Sequence, residues 1–247
     1  SLHPWAKMAK FAKTGAEANA IAIRLGRAYN KKNKIIICGY HGWHDWYLSA
    51  IYSKKNYLDT HLFPNLKTEG VPKFLKNYTY SVKYNDLASL EKILKRDKDI
   101  SSIIMEVERD SKPHKNYLKS IRKLCDHNNV CLIFDECTTG FRDFNGGLHL
   151  KYGVNPDIAM FGKAIGNGYS IASIIGKKSI MNSSNKSFIS STFWSERIGF
   201  VAGIATLNEM KRIKSWQIIS SKGKKIKKLL SLEAKKNDLI ISFSGLD

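Results

Sequence analysis

The chain has 247 residues, 43% of them hydrophobic and 25% charged, and a formal net charge of +20 at pH 7. A chain of this length can bury the core of one large globular domain. No apolar run reaches the ~20 residues needed to cross a bilayer, and no signal-peptide pattern opens the chain, which argues against membrane-spanning and secreted classes. We expect an interior segment of a longer cytoplasmic protein without a membrane partner.

The positive charge has two interpretations. It could serve a nucleic acid or another anionic surface, or it could consist of lysines spread over solvated helix faces. The lysines run along the whole chain, with small clusters at 31–34, 222–228 and 235–236. No RNP, zinc-finger or basic-zipper pattern accompanies them. We therefore predict no nucleic-acid partner, and keep a basic, non-catalytic polyanion-binding protein as the alternative of another class.

Cysteine and histidine usage argues against a metal centre. None of the four cysteines has CxxC spacing, and three lie in apolar runs, which suits small hydrophobic residues in a reducing compartment. They are Cys38, Cys125, Cys131 and Cys137. His41, His44 and Asp45 could contribute metal ligands, but no further cluster lies near them in sequence, so we predict no metal site.

The predicted elements alternate between helices and strands. Apolar residues at helical spacing, such as Ala18, Ile21 and Leu25, predict a helix at roughly 16–30. Continuous apolar runs, the first being "KIIIC" at 34–38, predict buried strands. Further strands are predicted at 101–107, 130–136, 157–162 and 170–176, and further helices at 85–96, 115–129, roughly 196–213 and near 215–236. This order indicates an α/β domain with a mainly parallel sheet, and the final "LIISFSGLD" predicts a strand just starting.

Two candidate ligand-binding features come early in the chain. Thr14-Gly15 precedes the first helix, where backbone N–H groups and the helix dipole can bind a phosphate, although an ordinary threonine N-cap explains the same pattern. Tyr40 follows the first predicted strand between Gly39 and Gly42, at the edge where open α/β sheets bind ligands. Its ring could lie flat on a planar ligand, or it could close the edge of the core.

Two further candidates follow later strands. Asp135 comes after five apolar residues in "VCLIFDE", and a buried carboxylate needs a partner, so the alternative is a structural salt bridge or a helix cap. Glu136 competes for the role, but strand alternation sends the two side chains to opposite faces. Lys163, in "MFGKAIGNG", follows another apolar run among small residues. If the lysine is enclosed, its pKa falls toward that of a nucleophilic amine; if it is exposed, it is an ordinary loop lysine.

These four features fit one cofactor, pyridoxal 5′-phosphate. It is a planar phosphorylated aldehyde that needs an amine for a Schiff base, an acid at its pyridine nitrogen, a phosphate cradle and an aromatic stacking face. Lys163, Asp135, Gly15 and Tyr40 supply these groups in turn. Each feature alone has an ordinary structural explanation. It is much less probable that all four match the needs of one cofactor by chance.

Five segments also resemble a known family. They are "TGAEANAIAIRLGRA", "YHGWHDWY", "LIFDECTTGFR", "GGLHLKYGVNPDIAMFGKAIGNG" and "SSTFWSERIGFVAGIATL". They occur in the order found in class III (subgroup II) pyridoxal-phosphate-dependent aminotransferases, and the glutamate-1-semialdehyde aminomutase-like branch looks nearest. The similarity covers most of residues 1–215, and the blocks 132–142 and 146–168 are the specific ones.

The resemblance implies a fold, a domain division and an activity. The fold would be type I of the pyridoxal-phosphate-dependent transferases, an α/β fold whose mainly parallel seven-stranded sheet has helices on both faces. Residues 1–236 would form the large cofactor-binding domain, and 237–247 would start a small C-terminal domain. The activity would be transfer of an amino group from an amine donor to a carbonyl acceptor. The alternatives are an intramolecular aminomutase reaction and other chemistry of the same cofactor, such as racemisation or decarboxylation.

The resemblance also implies roles for particular residues. Lys163 would form the Schiff base, and Asp135 would pair with the pyridine nitrogen. Gly15 and Ala16 would offer backbone N–H groups to the phosphate, and Tyr40 would stack on the ring.

Other matched positions imply a partner or depart from the family pattern. Thr192 matches a threonine that reaches the phosphate of the neighbouring subunit's cofactor, which implies a homodimer with shared active sites. Cys137 stands where a branched aliphatic residue packs against the ring, so its sulfur could fill that role or its thiol could react. Thr138 stands where some relatives carry Gln. Glu106-Val107 replaces the family's "EP" and precedes "ERDSKPH", so the substrate cannot be inherited from a relative.

Overall fold

The computed structural model describes residues 2–53, 58 and 67–247. Within these residues seven strands form one sheet, in the order β1-β7-β6-β5-β4-β2-β3. Their bounds are β1 Met8–Ala12, β2 Lys34–Cys38, β3 Thr79–Ser81, β4 Ile100–Glu106, β5 Cys131–Asp135, β6 Ile158–Phe161 and β7 Ala172–Gly176. Five neighbouring strands, β3, β2, β4, β5 and β6, run parallel to one another. β7 lies between β6 and β1 and is antiparallel to both. The predicted mainly parallel sheet is confirmed.

Helices cover both faces of this sheet. The helices are α1 Gly15–Asn30, α2 Asp45–Leu48, α3 Leu87–Arg96, α4 Tyr117–Asn128, α5 Leu148–Tyr152, α6 Lys178–Met181, α7 Arg197–Ile213 and α8 Ser215–Lys236. On one face α1 packs against a core that includes Ile35 and Ile37, and on the other α3 and α4 share a core with Ile36. Because side chains alternate along a strand, β2 needs apolar residues at successive positions, and Ile35, Ile36 and Ile37 supply them. The predicted α/β fold with helices on both faces is confirmed.

Two strands escaped prediction, and one predicted strand is wrong. β1 has lysine in its middle, and β3 has only three residues, so neither shows a long apolar run. In "LIISFSGLD" the structure has no strand, and Ile240 is fully exposed. The tail instead lies along α8, where Lys227 Nζ donates to Asp247 Oδ1 over 2.9 Å. A β-branched run forms no strand where no neighbouring strand offers it a ladder of hydrogen bonds.

The parallel strands bring the candidate residues to one edge. Since β2, β4, β5 and β6 run in the same direction, their carboxyl ends share that edge. Glu106 at the end of β4 lies directly opposite Asp135 at the end of β5. The segments that follow these strands carry Tyr40, Cys137 and Lys163. This is the edge at which open α/β sheets bind ligands.

Candidate active site

Asp135 is a buried carboxylate with three donors. It is 3% exposed, and its Oδ2 accepts hydrogen bonds from Asn19 Nδ2 at 2.8 Å and His41 Nδ1 at 2.9 Å. Its Oδ1 accepts from the Cys137 N–H at 3.0 Å. Burial raises the pKa of the Asp135 carboxyl, but the hydrogen bonds from His41, Cys137 and Asn19 outweigh burial, so its pKa lies below the ordinary value. Asp135 is therefore ionised at neutral pH.

The two side-chain partners of Asp135 were missed by the sequence analysis. His41 was considered only as a metal ligand, and Asn19 was given no role. Asn19 lies among the buried residues of α1, and a polar residue on an apolar helix face is the signal that could have found it. Among the described residues, the buried His41 Nε2 and Asn19 Oδ1 have no hydrogen-bond partner. The polar network around Asp135 is thus incomplete within the described part of the protein.

The start of α1 is both an N-cap and an open donor site. Thr14 Oγ1 accepts from the Glu17 N–H, and the Glu17 carboxylate accepts from the Thr14 N–H, which forms a capping box. The N–H groups of Gly15 and Ala16 donate to no other described residue. A Cβ on Gly15 would lie 3.0 Å from Cys137 Sγ, so this turn comes close to the segment after β5. Two free donors therefore point from a helix N-terminus at the ligand edge.

Lys163 lies in a short 3-10 turn directly after β6. Its backbone φ is +40°, a conformation that non-glycine residues seldom adopt and that is concentrated at functional sites. Its Nζ donates to Thr138 Oγ1 over 2.7 Å. The side chain is exposed, so of the two alternatives that the sequence left open the structure shows the exposed one. The edge is open above this residue because the neighbouring Asn167, Gly168 and Tyr169 are themselves exposed.

Cys137 is a packing residue in this site. Its Sγ lies between the α carbons of Gly15 and Gly162, since a Cβ on either glycine would be 3.0 or 3.3 Å from the sulfur. Burial, reinforced by the negative charge of Asp135, raises the pKa of the Cys137 thiol well above its ordinary value. The thiol therefore stays protonated at neutral pH, which argues against a reactive thiolate, while packing on a cofactor ring stays a prediction.

Tyr40 belongs to a charged group at the end of β2. Its ring is 39% exposed, and its N–H donates to Glu106 Oε2 over 2.9 Å. The same oxygen accepts from Arg109 at 3.1 Å, and the Arg109 guanidinium lies 5.7 Å from the centre of the Tyr40 ring. Gly39 has a φ of +125°, and a Cβ there would lie 2.6 Å from Glu106 Oε2. Only glycine allows this close approach.

Thr192 lies apart from these residues, in an exposed turn before α7. Glu196, four residues later, accepts from the Gly199 N–H at 2.9 Å and so caps α7. Glu196 also pairs with Lys13, next to the turn that starts α1, and this hydrogen bond lowers the pKa of Glu196 to about 2. The ion pair connects the segment of Thr192 with the Gly15 turn.

Two negative findings apply to the described residues. There, no group of three or more His, Cys, Asp or Glu side chains is arranged to hold a metal ion. In the same part of the chain, no helix is both long and apolar enough to cross a membrane.

Comparison with known proteins identifies the family. The profile of the class-III aminotransferases matches residues 3–245. The 3-aminobutyryl-CoA aminotransferase of Cloacimonas acidaminovorans is 36% identical, over 99% of this chain and 57% of that protein. The glutamate-1-semialdehyde 2,1-aminomutase of Ignicoccus hospitalis is 35% identical, over 95% of this chain and 56% of that protein. The chain therefore spans a little over half the length of these curated relatives.

Solved structures confirm the fold. An omega-transaminase from Sphaerobacter thermophilus superimposes with a TM-score of 0.84 at 20% identity, over 99% of this chain and 61% of that one. The FumI protein of Sphingopyxis sp. MTA144 gives a TM-score of 0.82 at 23% identity, over 94% of this chain and 54% of that one. The fold is thus the α/β fold of transaminases. The chain belongs to the class-III aminotransferase family.

Proposed function

We propose that this chain is the cofactor-binding part of a pyridoxal-phosphate-dependent enzyme that transfers an amino group from an amine donor to a carbonyl acceptor. The observation that carries the proposal is the pairing, at one sheet edge, of a buried ionised acid, Asp135, with an exposed amine, Lys163. Family membership supports the enzymatic interpretation over a non-catalytic polyanion-binding protein.

The residues present fit pyridoxal phosphate. The free N–H groups of Gly15 and Ala16 suit its phosphate, and the missing Cβ of Gly15 keeps that turn open beside Cys137. The Asp135 carboxylate, kept ionised by its donors, suits a protonated pyridine nitrogen. The exposed ring of Tyr40 suits stacking. When bound, the cofactor accepts the electron pair left on a substrate carbon after that carbon loses a proton.

Lys163 has two tasks in this proposal. Its exposed Nζ would hold the cofactor at its aldehyde carbon and would be freed when a substrate amine takes its place. The freed Nζ then takes a proton from the substrate carbon and returns it, which is general base and acid work worth ~10²–10⁴ in rate. Thr138 Oγ1, which accepts from Nζ at 2.7 Å, orients the amine for both tasks.

A second candidate reaction is an aminomutase that moves the amine within one molecule. Relatives named glutamate-1-semialdehyde 2,1-aminomutase, at 35–37% identity, favour keeping it. Both reactions use the same groups of this chain, so product analysis separates them: a mutase returns an isomer of its substrate, whereas a transferase leaves a donor carbonyl and an acceptor amine.

The assembly and cellular location belong to the same proposal. We expect a homodimer with shared active sites, because Thr192 is exposed in a turn tied to the Gly15 segment and could reach a neighbouring subunit's cofactor phosphate. We expect a cytoplasmic enzyme, which agrees with four buried free cysteines and with a described part that contains no membrane-spanning helix.

The test is to find the amine that carries the cofactor. The full-length protein is incubated with pyridoxal phosphate, reduced with borohydride and digested, and the modified peptide is identified by mass spectrometry. We expect the adduct on Lys163, no such adduct in Lys163→Ala, and a wild-type amount in Lys119→Ala, which removes an exposed lysine of α4. An adduct spread over surface lysines, or none in the wild type, would refute the proposed function.

A further inference from the structure

Arg109 places a positive charge at the rim of the candidate active site. It follows β4 by three residues, in the segment that departs from the family pattern. Its side chain is 36% exposed, with one nitrogen 3.1 Å from Glu106 Oε2 and Nε 3.6 Å from Asp110 Oδ2. The guanidinium lies 5.7 Å from the centre of the Tyr40 ring, within the range of a cation–π contact. Arg109 is therefore held beside the residue proposed to stack on the cofactor.

The anchoring of Arg109 leaves most of its hydrogen-bonding capacity unused. A guanidinium has five N–H donors, and among the described residues only one of them makes a hydrogen bond, to Glu106. Glu106 itself is buried and fixed by the Tyr40 N–H. If Arg109 served only to neutralise Glu106, its guanidinium could be fully buried. Instead, Arg109 is partly exposed and has unused N–H donors at the open edge of the sheet.

A cavity of about 230 Å³ adjoins this guanidinium. Its polar lining includes Arg109, Lys83 and Ser111 together with the carboxylate residues Glu106 and Asp110. One water occupies ~30 Å³ in the liquid, so the space holds a group of several heavy atoms. The carboxylates of Glu106 and Asp110 balance the charges of Arg109 and Lys83 there, so an anion would be held by the unused N–H groups of Arg109. A guanidinium fork of this kind matches a carboxylate or a phosphate.

We propose that Arg109 binds an anionic group, a carboxylate or a phosphate, of the substrate. The inference rests on the proposed function, because the substrate amine or carbonyl must lie at Lys163 while its anionic group lies at Arg109. Arginine suits the task because its planar fork can bind two oxygens at once while Glu106 holds its other side. Arg109 is thus a specificity-determining residue, and it selects among amines by whether they carry an anionic group.

The test compares amines that differ in that charge. Cofactor-loaded full-length protein is titrated with 4-aminobutanoate, 3-aminopropylphosphonate and butylamine, and with alanine against ethylamine, and the change in cofactor absorbance gives Kd. We expect a carboxylated or phosphonylated amine to bind more tightly than its neutral counterpart. In Arg109→Gln that advantage should fall by about 10- to 100-fold, as for loss of a charge-assisted hydrogen bond, while neutral amines bind as before. The better anion identifies carboxylate or phosphate as the natural group.

Two further variants separate recognition from folding. Arg96→Gln removes another arginine that lies over a tyrosine ring, 5.9 Å from the centre of Tyr80, and should leave every Kd unchanged. The single variant Arg109→Gln leaves the buried Glu106 carboxylate without its counter-ion. The double variant Glu106→Gln, Arg109→Gln removes that carboxylate as well, and it should lose the preference for anionic amines just as the single variant does.

The outcomes distinguish this inference from the proposed function. If the wild type forms no adduct on Lys163, the proposed function fails and the inference fails with it. If the adduct forms but no anionic amine binds better than its neutral partner, only the role of Arg109 is overturned. That role is likewise overturned if Arg109→Gln weakens the binding of charged and neutral amines equally, since a counter-ion of Glu106 would behave in that way.

Discussion

Asp135 and Glu136 are consecutive buried carboxylates, each beside a buried histidine, yet their surroundings differ. Glu136 accepts from the N–H groups of Leu148 and His149, from Thr139 Oγ1 and from His149 Nδ1 at 2.8 Å. The second nitrogen of that histidine accepts from an indole N–H at 3.3 Å. The network around Glu136 is complete, which is the mark of a structural group.

The network around Asp135 is open by contrast. Its histidine, His41, has one nitrogen partnered and the other without a partner among the described residues. Asp135 lies on the side of the sheet that carries the start of α1, the sulfur of Cys137 and the turn of Lys163. Glu136 lies on the side that carries α5. Strand alternation alone puts one acid in a site and the next in the core. Burial of an acid therefore does not indicate function; the completeness of its hydrogen bonds and the side of the sheet do.

The largest expected effect separates the two acids by activity. Asp135→Asn removes the negative charge that would keep a proton on the cofactor nitrogen, so we expect amine-transfer activity to fall by about 10²–10³, as when a preorganised electrostatic group is lost. Glu136→Gln is the matched control and should retain most of the activity of the protein that folds. Initial rates per folded, cofactor-loaded subunit measure both. If both variants lost activity to the same extent, Asp135 could not be distinguished from Glu136 as the acid of the active site.

The next largest effect is on stability, and here the substitution of Glu136 has the larger consequence. Glu136→Gln replaces one carboxylate oxygen by an amide NH₂, which then faces either the donors of Leu148 and Thr139 at Oε2 or the N–H of His149 at Oε1. Leaving such donors unsatisfied should lower the free energy of unfolding by about 1–3 kcal/mol. Urea unfolding of the full-length protein measures this. A stability equal to wild type would mean that the network is not structural.

The fold was predictable where the chain has long apolar runs. The runs that became β2, β4, β5 and β6 have core on both faces, so most of their residues are apolar. β1 and β3 were missed because their strand character depends on pairing with a neighbour rather than on composition. The same dependence explains the wrong strand in "LIISFSGLD", where apolar residues have no strand to pair with. The division into domains at residue 237 stays a prediction.

The site residues that follow strands could be predicted from the sequence. The hydrogen bonds that other residues make to them could not. Asp135 and Lys163 follow apolar runs, so topology brings them to one edge. Asn19 and His41 reach Asp135 only because α1 packs across the sheet, and spacing in sequence does not show that. The sequence left the exposure of Lys163 undecided, because small neighbours are compatible with an enclosed lysine and with the open edge that the structure shows. The proposed roles of Gly15, Ala16, Tyr40, Cys137 and Thr192 stay predictions.

The smallest expected effect is a pH dependence confined to the Glu136 side. His3 stacks on His149, and burial together with that neighbour lowers the pKa of His3 from 6.5 to about 4, although Glu136 acts in the other direction. The unfolded chain therefore takes up a proton at His3 as the pH falls below 6.5, while the folded chain does so only near 4. Stability contributed by neutral His3 is present above pH 6.5 and is lost progressively toward pH 4.

The variant His3→Gln should remove this dependence, whereas His127→Gln, at an exposed position of α4, should keep it. Asp135 should contribute little above about pH 5, because its ordinary pKa of 3.8 in the unfolded chain and its lowered pKa in the folded protein both lie below that pH. Urea unfolding between pH 7 and pH 4 measures the slope for the wild type and both variants. A slope that survives in His3→Gln would place the titrating group elsewhere, and the two acids of β5 would then no longer be separated by pH.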